Sequence, residues 1–251
     1  MIDISKNGTI GEISLSRKEK RNAINQELLE ELLKAIRVIE EDENLKVIII
    51  DSSSGDFSVG ADINELLKMN TALAISFREK MSNIVSEMIN SDKIFISYLT
   101  GFSLGGGFEI AQWSDMIIAD EKSRIGQPEV NIGINAGAGG NTILPREVGY
   151  KNAMYLALTG NIISAMEAKE RGIIQETVRT REEMLEIARK IASKDSETIV
   201  AIKKSMREMG KTVRGWKFGN GEIYEIDRYR VMCIFHPSPR NVNTGRTVKS
   251  H

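Results

Sequence analysis

Three segments of this chain join glycine to a carboxylate, and these are the residues from which it could build a reactive site. Phe57-Ser-Val-Gly-Ala-Asp62 ends in Asp62, and Gly101-Phe-Ser-Leu-Gly-Gly-Gly-Phe-Glu109 ends in Glu109. Gly126-Gln-Pro-Glu129 ends in Glu129 and is followed by Ala136-Gly-Ala-Gly-Gly140. Glycine where a strand gives way to a helix lets backbone N–H groups approach a ligand atom unshielded by side chains. Two such turns on neighbouring strands could aim two N–H donors at one oxygen, the geometry of an oxyanion hole. Each segment also has a plain structural reading. Gly105-Gly106-Gly107 serves equally as a packing or turn device, and it has neither GxGxxG spacing nor a following Gly-Lys-Ser/Thr. Glu109 in a first helical turn suits the helix dipole, Asp62 ahead of a helix is a natural N-cap, and Glu129 after Pro128 could be a solvated loop charge.

The elements that must hold these segments follow from periodicity. Gly8 to Leu15 alternates polar and apolar residues after an Asn7-Gly8 turn and reads as a strand. Asn25 reads as the N-cap of a helix to about Glu41, with Leu28, Leu29, Leu32, Ile36 and Ile39 at helical spacing. Lys46 to Ile50 is a short apolar run, the pattern of a strand covered on both faces. A helix is predicted from Ile63 to about Met69, and another from about Thr71 to Asn90 with Ile75, Met81, Ile84, Val85 and Met88 on one stripe. The cycle repeats with a buried strand at Lys93 to Leu99, a glycine turn, a helix at Phe108 to Gln112 and a strand at Met116 to Ala119. Alternating strands and helices argue for an α/β layered fold. After Glu182 the pattern becomes purely helical, so the expected organisation is a core over residues 1–180 and a C-terminal helical region with an irregular tail over 181–251.

Composition removes several classes of function. Of 251 residues, 34 are Lys or Arg and 35 Asp or Glu, a net charge of −1 that provides no global basic field for nucleic acid or an anionic membrane surface. A single cysteine, Cys233, cannot form an internal disulfide and points to a reducing compartment, the cytoplasm. Both histidines, His236 and His251, lie in the last sixteen residues, which disfavours a His-centred triad or metal site in the body of the chain. Apolar runs such as Val47 to Ile50 fall far short of the ~20 residues that span a bilayer, and the segment Met1 to Ile10 does not read as a secretion signal. The remaining chemistry belongs to carboxylates and backbone.

In order along the chain, FSVGADINEL, GFSLGGGFEIA, IGQPEVNIGINAGAGG and LTGNIISAMEAKERGIIQETV resemble the enoyl-CoA hydratase/isomerase (crotonase) family, in register from about Asn22 to Val178. The resemblance implies a spiral of ββα repeats with a C-terminal helical region, assembled as a homotrimer or a pair of trimers. It implies an acyl-CoA thioester as ligand, no cofactor beyond the coenzyme A of the substrate, and no metal. The thioester oxygen would be held by the N–H groups of Ala61 and Gly106. Glu109 and Glu129, twenty residues apart, would be the catalytic pair of a hydratase. Double-bond isomerases usually keep one catalytic carboxylate in another arrangement. Lys20-Arg21-Asn22-Ala23 matches the segment beside the adenine and 3′-phosphate, so Arg21, Ala23, Asp62 and Ile63 are expected along the coenzyme path, with Ala61, Gly105 and Gly106 at the thioester. Arg21 reads equally as a solvated surface residue. Other readings are a different crotonase reaction, such as isomerisation or dehydration of a 3-hydroxyacyl-CoA, and a non-catalytic acyl-CoA-binding module. Three stretches depart from the family pattern: Ala136 to Ile143, Lys93 to Leu99 with bulky Phe95 and Tyr98, and the tail from Phe235 to His251, expected to be extended over residues 238–251.

Overall fold

The structure is a computed structural model that describes residues 1–212, 223–226 and 229–232. The chain opens with an antiparallel hairpin, β1 (Ile2–Asn7) and β2 (Ile10–Leu15), turned at Gly8. β1 lies at the sheet edge with mostly exposed side chains, so no hydrophobic pattern marked it in the sequence. α1 (Gln26–Glu40) starts where the Asn25 side chain accepts the Leu28 N–H at 2.9 Å. Its buried stripe of Leu28, Leu29, Leu32, Ala35, Ile36 and Ile39 contributes about 1.5–3 kcal/mol per large side chain removed from water. β3 (Val47–Ser52) follows, parallel to β2, with its first five residues buried, as expected of a strand covered on both faces.

α2 (Ile63–Leu66) is shorter than the predicted Ile63–Met69. Beyond it the bonds Lys68 N–H to Glu65 and Met69 N–H to Leu66 tighten to three-residue turns, and Asn70 then caps α3 (Thr71–Asn90). The apolar stripe of α3 is buried from Met81 to Met88, whereas Ile75 is 46% exposed, because the first turns of this helix stand clear of the core. β4 (Ile94–Leu99) is wholly buried and parallel to β3.

The predicted glycine turn after β4 contains a strand of its own, β5 (Phe102–Leu104), which leads into α4 (Gly106–Gln112). β6 (Met116–Asp120) returns to the main sheet, and β7 (Arg124–Gly126) pairs in parallel with β5. Three residues carry too little periodicity to be read as a strand; pairing to a distant partner makes them one. α5 (Gly140–Val148), α6 (Tyr150–Thr159), β8 (Ile162–Ser164), α7 (Ala165–Glu170) and β9 (Glu176–Val178) complete the strand-bearing part. The main sheet has the order β1-β2-β3-β4-β6-β9, parallel throughout except for the opening hairpin, and the small sheet the order β5-β7-β8. Successive main-sheet strand, small-sheet strand and helix form the ββα repeat of a mixed α/β fold.

α8 (Arg181–Ala192) begins at its Thr180 cap and is fastened to the sheet by Arg181, which pairs with Asp51 at 3.0 Å and Glu12 at 2.7 Å. The chain divides into two compact units, Met1–Ser196 and Glu197–His251, so α8 belongs to the first. α9 (Ser196–Thr212) follows. Within the stretch expected to be a helical region with an irregular tail, β10 (Ile223–Ile226) and β11 (Tyr229–Met232) form an antiparallel pair of four-residue runs rich in strand-forming Ile, Tyr and Val. The tail over 238–251, with His236, His251 and Cys233, lies outside the described residues. No described helix is long and apolar enough to cross a membrane.

Candidate active site

The first glycine loop is fixed by a buried asparagine. Asn22 is fully buried in the left-handed region at φ 54°, and its Oδ1 accepts the Arg17 N–H at 2.8 Å. Its Nδ2 lies within hydrogen-bond reach of Ser52 Oγ, Ser54 Oγ and the carbonyls of Asp56 and Phe57, at 2.7–3.1 Å. Ser58 Oγ donates to the Asn22 carbonyl at 2.7 Å and accepts the Gly60 N–H at 3.2 Å. A parallel bridge then joins Ile24 to Ala61, using the Gly60 carbonyl and the Asp62 N–H, each at 2.8 Å. In an extended chain successive N–H groups alternate, so the N–H of Ala61 points to the side away from Ile24. Asp62 is an N-cap, as a plain reading would have it, accepting the Asn64 N–H at 2.9 Å, and it also pairs with Arg17 at 2.8 Å. Burial opposes the Asp62 charge, but the Arg17 and Asn64 hydrogen bonds outweigh it and hold the carboxyl below the usual range.

The second loop abuts the first. Gly105 adopts φ 49°, sends its N–H to the Gly126 carbonyl and leads into α4, whose first N–H belongs to Gly106. At this helix position no intrahelical acceptor exists. A Cβ placed on Gly60 would crowd the Leu104 carbonyl oxygen at 3.1 Å, and one on Gly107 would collide with Ser58, so glycine is what lets the two turns touch. The two candidate donors, Ala61 and Gly106, thus come from loops in direct contact.

Two carboxylates lie beside these turns. Glu109, in the first turn of α4, is 3% exposed, and its Oε1 accepts N–H bonds from Ala138 and Gly140, both at 2.8 Å. Burial raises its pKa, with the N–H groups of Gly140, Ala138 and Gly137 pulling the other way. Glu129 sits in a 3-10 turn over Pro128–Ile132, its Oε1 only 3.2 Å from where a Cβ on Gly105 would be. Neither of its oxygens meets a hydrogen-bond donor from another residue or reaches solvent. Burial, helped by the charge of Glu109, pushes its pKa from 4.5 up to about 7. Glu129 is therefore not a solvated loop charge.

The chain matches the enoyl-CoA hydratase/isomerase family model over residues 5–215. It belongs to that family. A curated relative named probable enoyl-CoA hydratase, mitochondrial, from Dictyostelium discoideum is 35% identical over 204 residues, 80% of this chain and 73% of the relative. The short-chain-enoyl-CoA hydratase of Clostridium acetobutylicum is 35% identical over 210 residues, 83% and 80% of the two chains. The crystal structure of enoyl-CoA hydratase from Thermoplasma volcanium superposes with a TM-score of 0.82 at 41% identity, covering 84% of this chain and 85% of that one. The chain is thus an enzyme of this family type, built on its α/β fold.

Against that family frame, the structure brings Ala61, Gly105, Gly106 and Glu129 to the two touching turns, with Glu109 one helical turn into α4. Arg21 is turned to Asp56 at 2.6 Å and stands 5.0 Å from the Phe102 ring centroid, so it links the two loops. The Ala23 carbonyl accepts Arg17 Nη1 at 2.7 Å, and Ile63 is 67% exposed at the start of α2. Sequence reasoning missed Gln127, which is buried with both amide atoms unpartnered and presses on Gly140. It also missed the loop-holding roles of Asn22 and Ser58. The signal available for Gln127 was its place between Gly126 and Pro128, but an uncharged amide draws no attention by spacing alone.

Proposed function

We propose that this enzyme is an enoyl-CoA hydratase that adds water syn across the C2=C3 double bond of a trans-2-enoyl-CoA, giving the 3-hydroxyacyl-CoA. The observation that carries this reading is the unequal pair of buried glutamates beside two glycine turns. The thioester carbonyl oxygen lies between the N–H groups of Ala61 and Gly106, about 2.7–3.1 Å from each, where donors stabilise the enolate charge that forms as water attacks C3. Glu109, anchored through Oε1, orients that water and takes its proton. Glu129, which retains its proton up to about pH 7, delivers it to C2. Because the steps are reversible, the same pair dehydrates a 3-hydroxyacyl-CoA.

Arg21, Ala23, Asp62 and Ile63 are assigned to the coenzyme path and Gly105 to the thioester turn. The chemistry needs only the coenzyme A that the substrate carries. A homotrimer or pair of trimers is proposed as the working assembly. The apolar residues Tyr150, Met154, Tyr155 and Leu158 on α6, with Ile162 and Met166, are exposed in the single chain, which supports burial against a copy. Light scattering on the purified protein tests this; a monomer at micromolar concentration would overturn it. The hydratase reading is tested by incubating the enzyme with crotonyl-CoA and following loss of the conjugated thioester absorbance. Turnover is expected, and a folded protein with no absorbance change would overturn the reading.

A further inference from the structure

Trp113 follows the last residue of α4, four residues after Glu109 and so near the same helix face. Its indole N–H donates to the Ala138 carbonyl at 2.8 Å. Its ring fills the space that a side chain at position 139 would occupy, since a Cβ on Gly139 would stand 2.6 Å from Trp113 Cζ2. The residue gripped in this way is one that serves Glu109. Ala138 sends its N–H to Glu109 Oε1, and Gly140, two residues on, sends a second N–H to the same oxygen. Ala138 is therefore held at both of its backbone polar groups, by the first turn and the C-terminal end of the same short helix. The stretch around it, Asn135 to Gly139, is glycine-bearing and at least partly exposed, the kind of segment that opens locally unless it is tied down.

We propose that Trp113 is a positioning residue of the hydration reaction: by holding the Ala138 carbonyl and packing on Gly139, it keeps two loop N–H groups on Glu109 and so sets the charge state in which that carboxylate can activate water. This rests on reading Glu109 as the group that takes the proton of water. Hydrogen bonds to the ionised form favour that form, so loosening the loop makes Glu109 harder to ionise. The carboxylate of Glu129 faces this corner from the 3-10 turn, and Glu147 on α5 accepts from Gln112 Nε2 at 3.3 Å. Neither makes a hydrogen bond to Trp113, so both are expected to stay in place in the variants below.

The test is Trp113→Phe, which keeps an aromatic ring and removes the N–H. Hydrogen–deuterium exchange on a peptide covering 136–141 is expected to speed up at Ala138 and Gly140. With crotonyl-CoA, kcat is expected to fall about tenfold, within the range of a weakened acid–base group, with KM within about threefold. The acid limb of the rate profile should move up by about 0.5–1 pH unit. Trp113→Leu, which also loses the ring, should show the same changes enlarged. Unchanged exchange in the Phe variant overturns the proposal, and so does faster exchange with a wild-type kcat and pH profile. In the unaltered protein the Ala138 and Gly140 amides are expected to be protected at neutral pH despite the partly exposed stretch that leads into α5. Absence of that protection overturns the proposal without any variant. A wild-type protein inert toward crotonyl-CoA would sink the hydratase reading, while the exchange data still decide whether Trp113 holds the amides of Glu109.

Discussion

Glu109 and Glu129 are both withdrawn from water, and the chain surrounds them differently. Around Glu109 the backbone turns inward: two N–H groups at 2.8 Å compensate one oxygen. Around Glu129 no other residue does so, and its pKa rises to about 7. An uncompensated buried carboxylate is costly as a structural element, because burial penalises its charge and no donor repays the loss. The contrast teaches that compensation, more than burial, separates an acid from a base here. Burial raises both carboxyls, but at Glu109 backbone N–H groups oppose it and favour the charged form, whereas at Glu129 no other residue does, and this inequality is the division that hydration needs.

The sharpest way to break that contrast is to remove each carboxylate in turn. Glu109→Gln and Glu129→Gln are each expected to lower the hydration rate by roughly two to four orders of magnitude, the range for a positioned acid or base. The fold should survive, because the change is nearly isosteric. Steady-state rates with crotonyl-CoA decide it: a folded variant retaining more than about a tenth of the activity takes that residue out of the mechanism. Next in size is Ala61→Pro, which deletes one of the two proposed oxyanion donors. Its kcat is expected to fall about 10²–10³-fold with a smaller change in coenzyme A affinity. A variant with an unchanged circular dichroism spectrum and full turnover would remove Ala61 from the site.

Much of the frame that holds this pair was legible because it is written in long, regular patterns. The Asn25 cap and the stripe of α1, and the apolar runs of β3 and β4, state their structure locally. β1, β5 and β7 do not, since an exposed edge and two three-residue strands exist only through their partners. The glutamates and glycine turns stood out through their spacing and their likeness to a family. Gln127, Ser58 and Trp113 did not. Their roles lie in contacts with Gly140, Asn22 and Ala138, residues 13 to 36 positions away along the chain, and no periodicity reports such a contact. The pair Ile223–Ile226 and Tyr229–Met232 went unread for a related reason: each is a four-residue run that becomes a strand only through its partner.

The contrast can be sharpened through pH. Glu129 carries its proton below about pH 7, so the hydration rate is expected to fall as pH rises through that value. In Glu109→Gln the neighbouring negative charge is gone, so the alkaline limb of the residual activity should move to lower pH. Stability provides a second readout with a definite sign. The unfolded chain ionises this group from about 4.5, whereas the folded one resists until about 7, so its contribution to stability declines across that interval. Thermal melts should therefore show that Glu129→Gln gains on the wild type between pH 5 and pH 8. Parallel melting curves across that range would mean that Glu129 is not the strained group.

The smallest effect is expected from Arg21, whose charge, like that of Glu109 and unlike that of Glu129, already has its partner. Its guanidinium is bonded to Asp56 at 2.6 Å and stacks over Phe102, although more than half of its side chain is exposed. An exposed pair of this kind contributes up to about 1 kcal/mol, so Arg21→Ala should leave the fold and kcat close to wild type. If Arg21 also reaches the 3′-phosphate of the coenzyme, its loss should raise KM for crotonyl-CoA by less than about tenfold, since the site is open to water and salt. Crotonyl-pantetheine, which lacks that phosphate, separates the two roles. A rise in KM confined to the coenzyme A substrate assigns Arg21 to the phosphate. An equal rise for both substrates means that the residue acts by bracing the two glycine loops, and a fall in kcat with either would place it nearer the chemistry than its pairing with Asp56 implies.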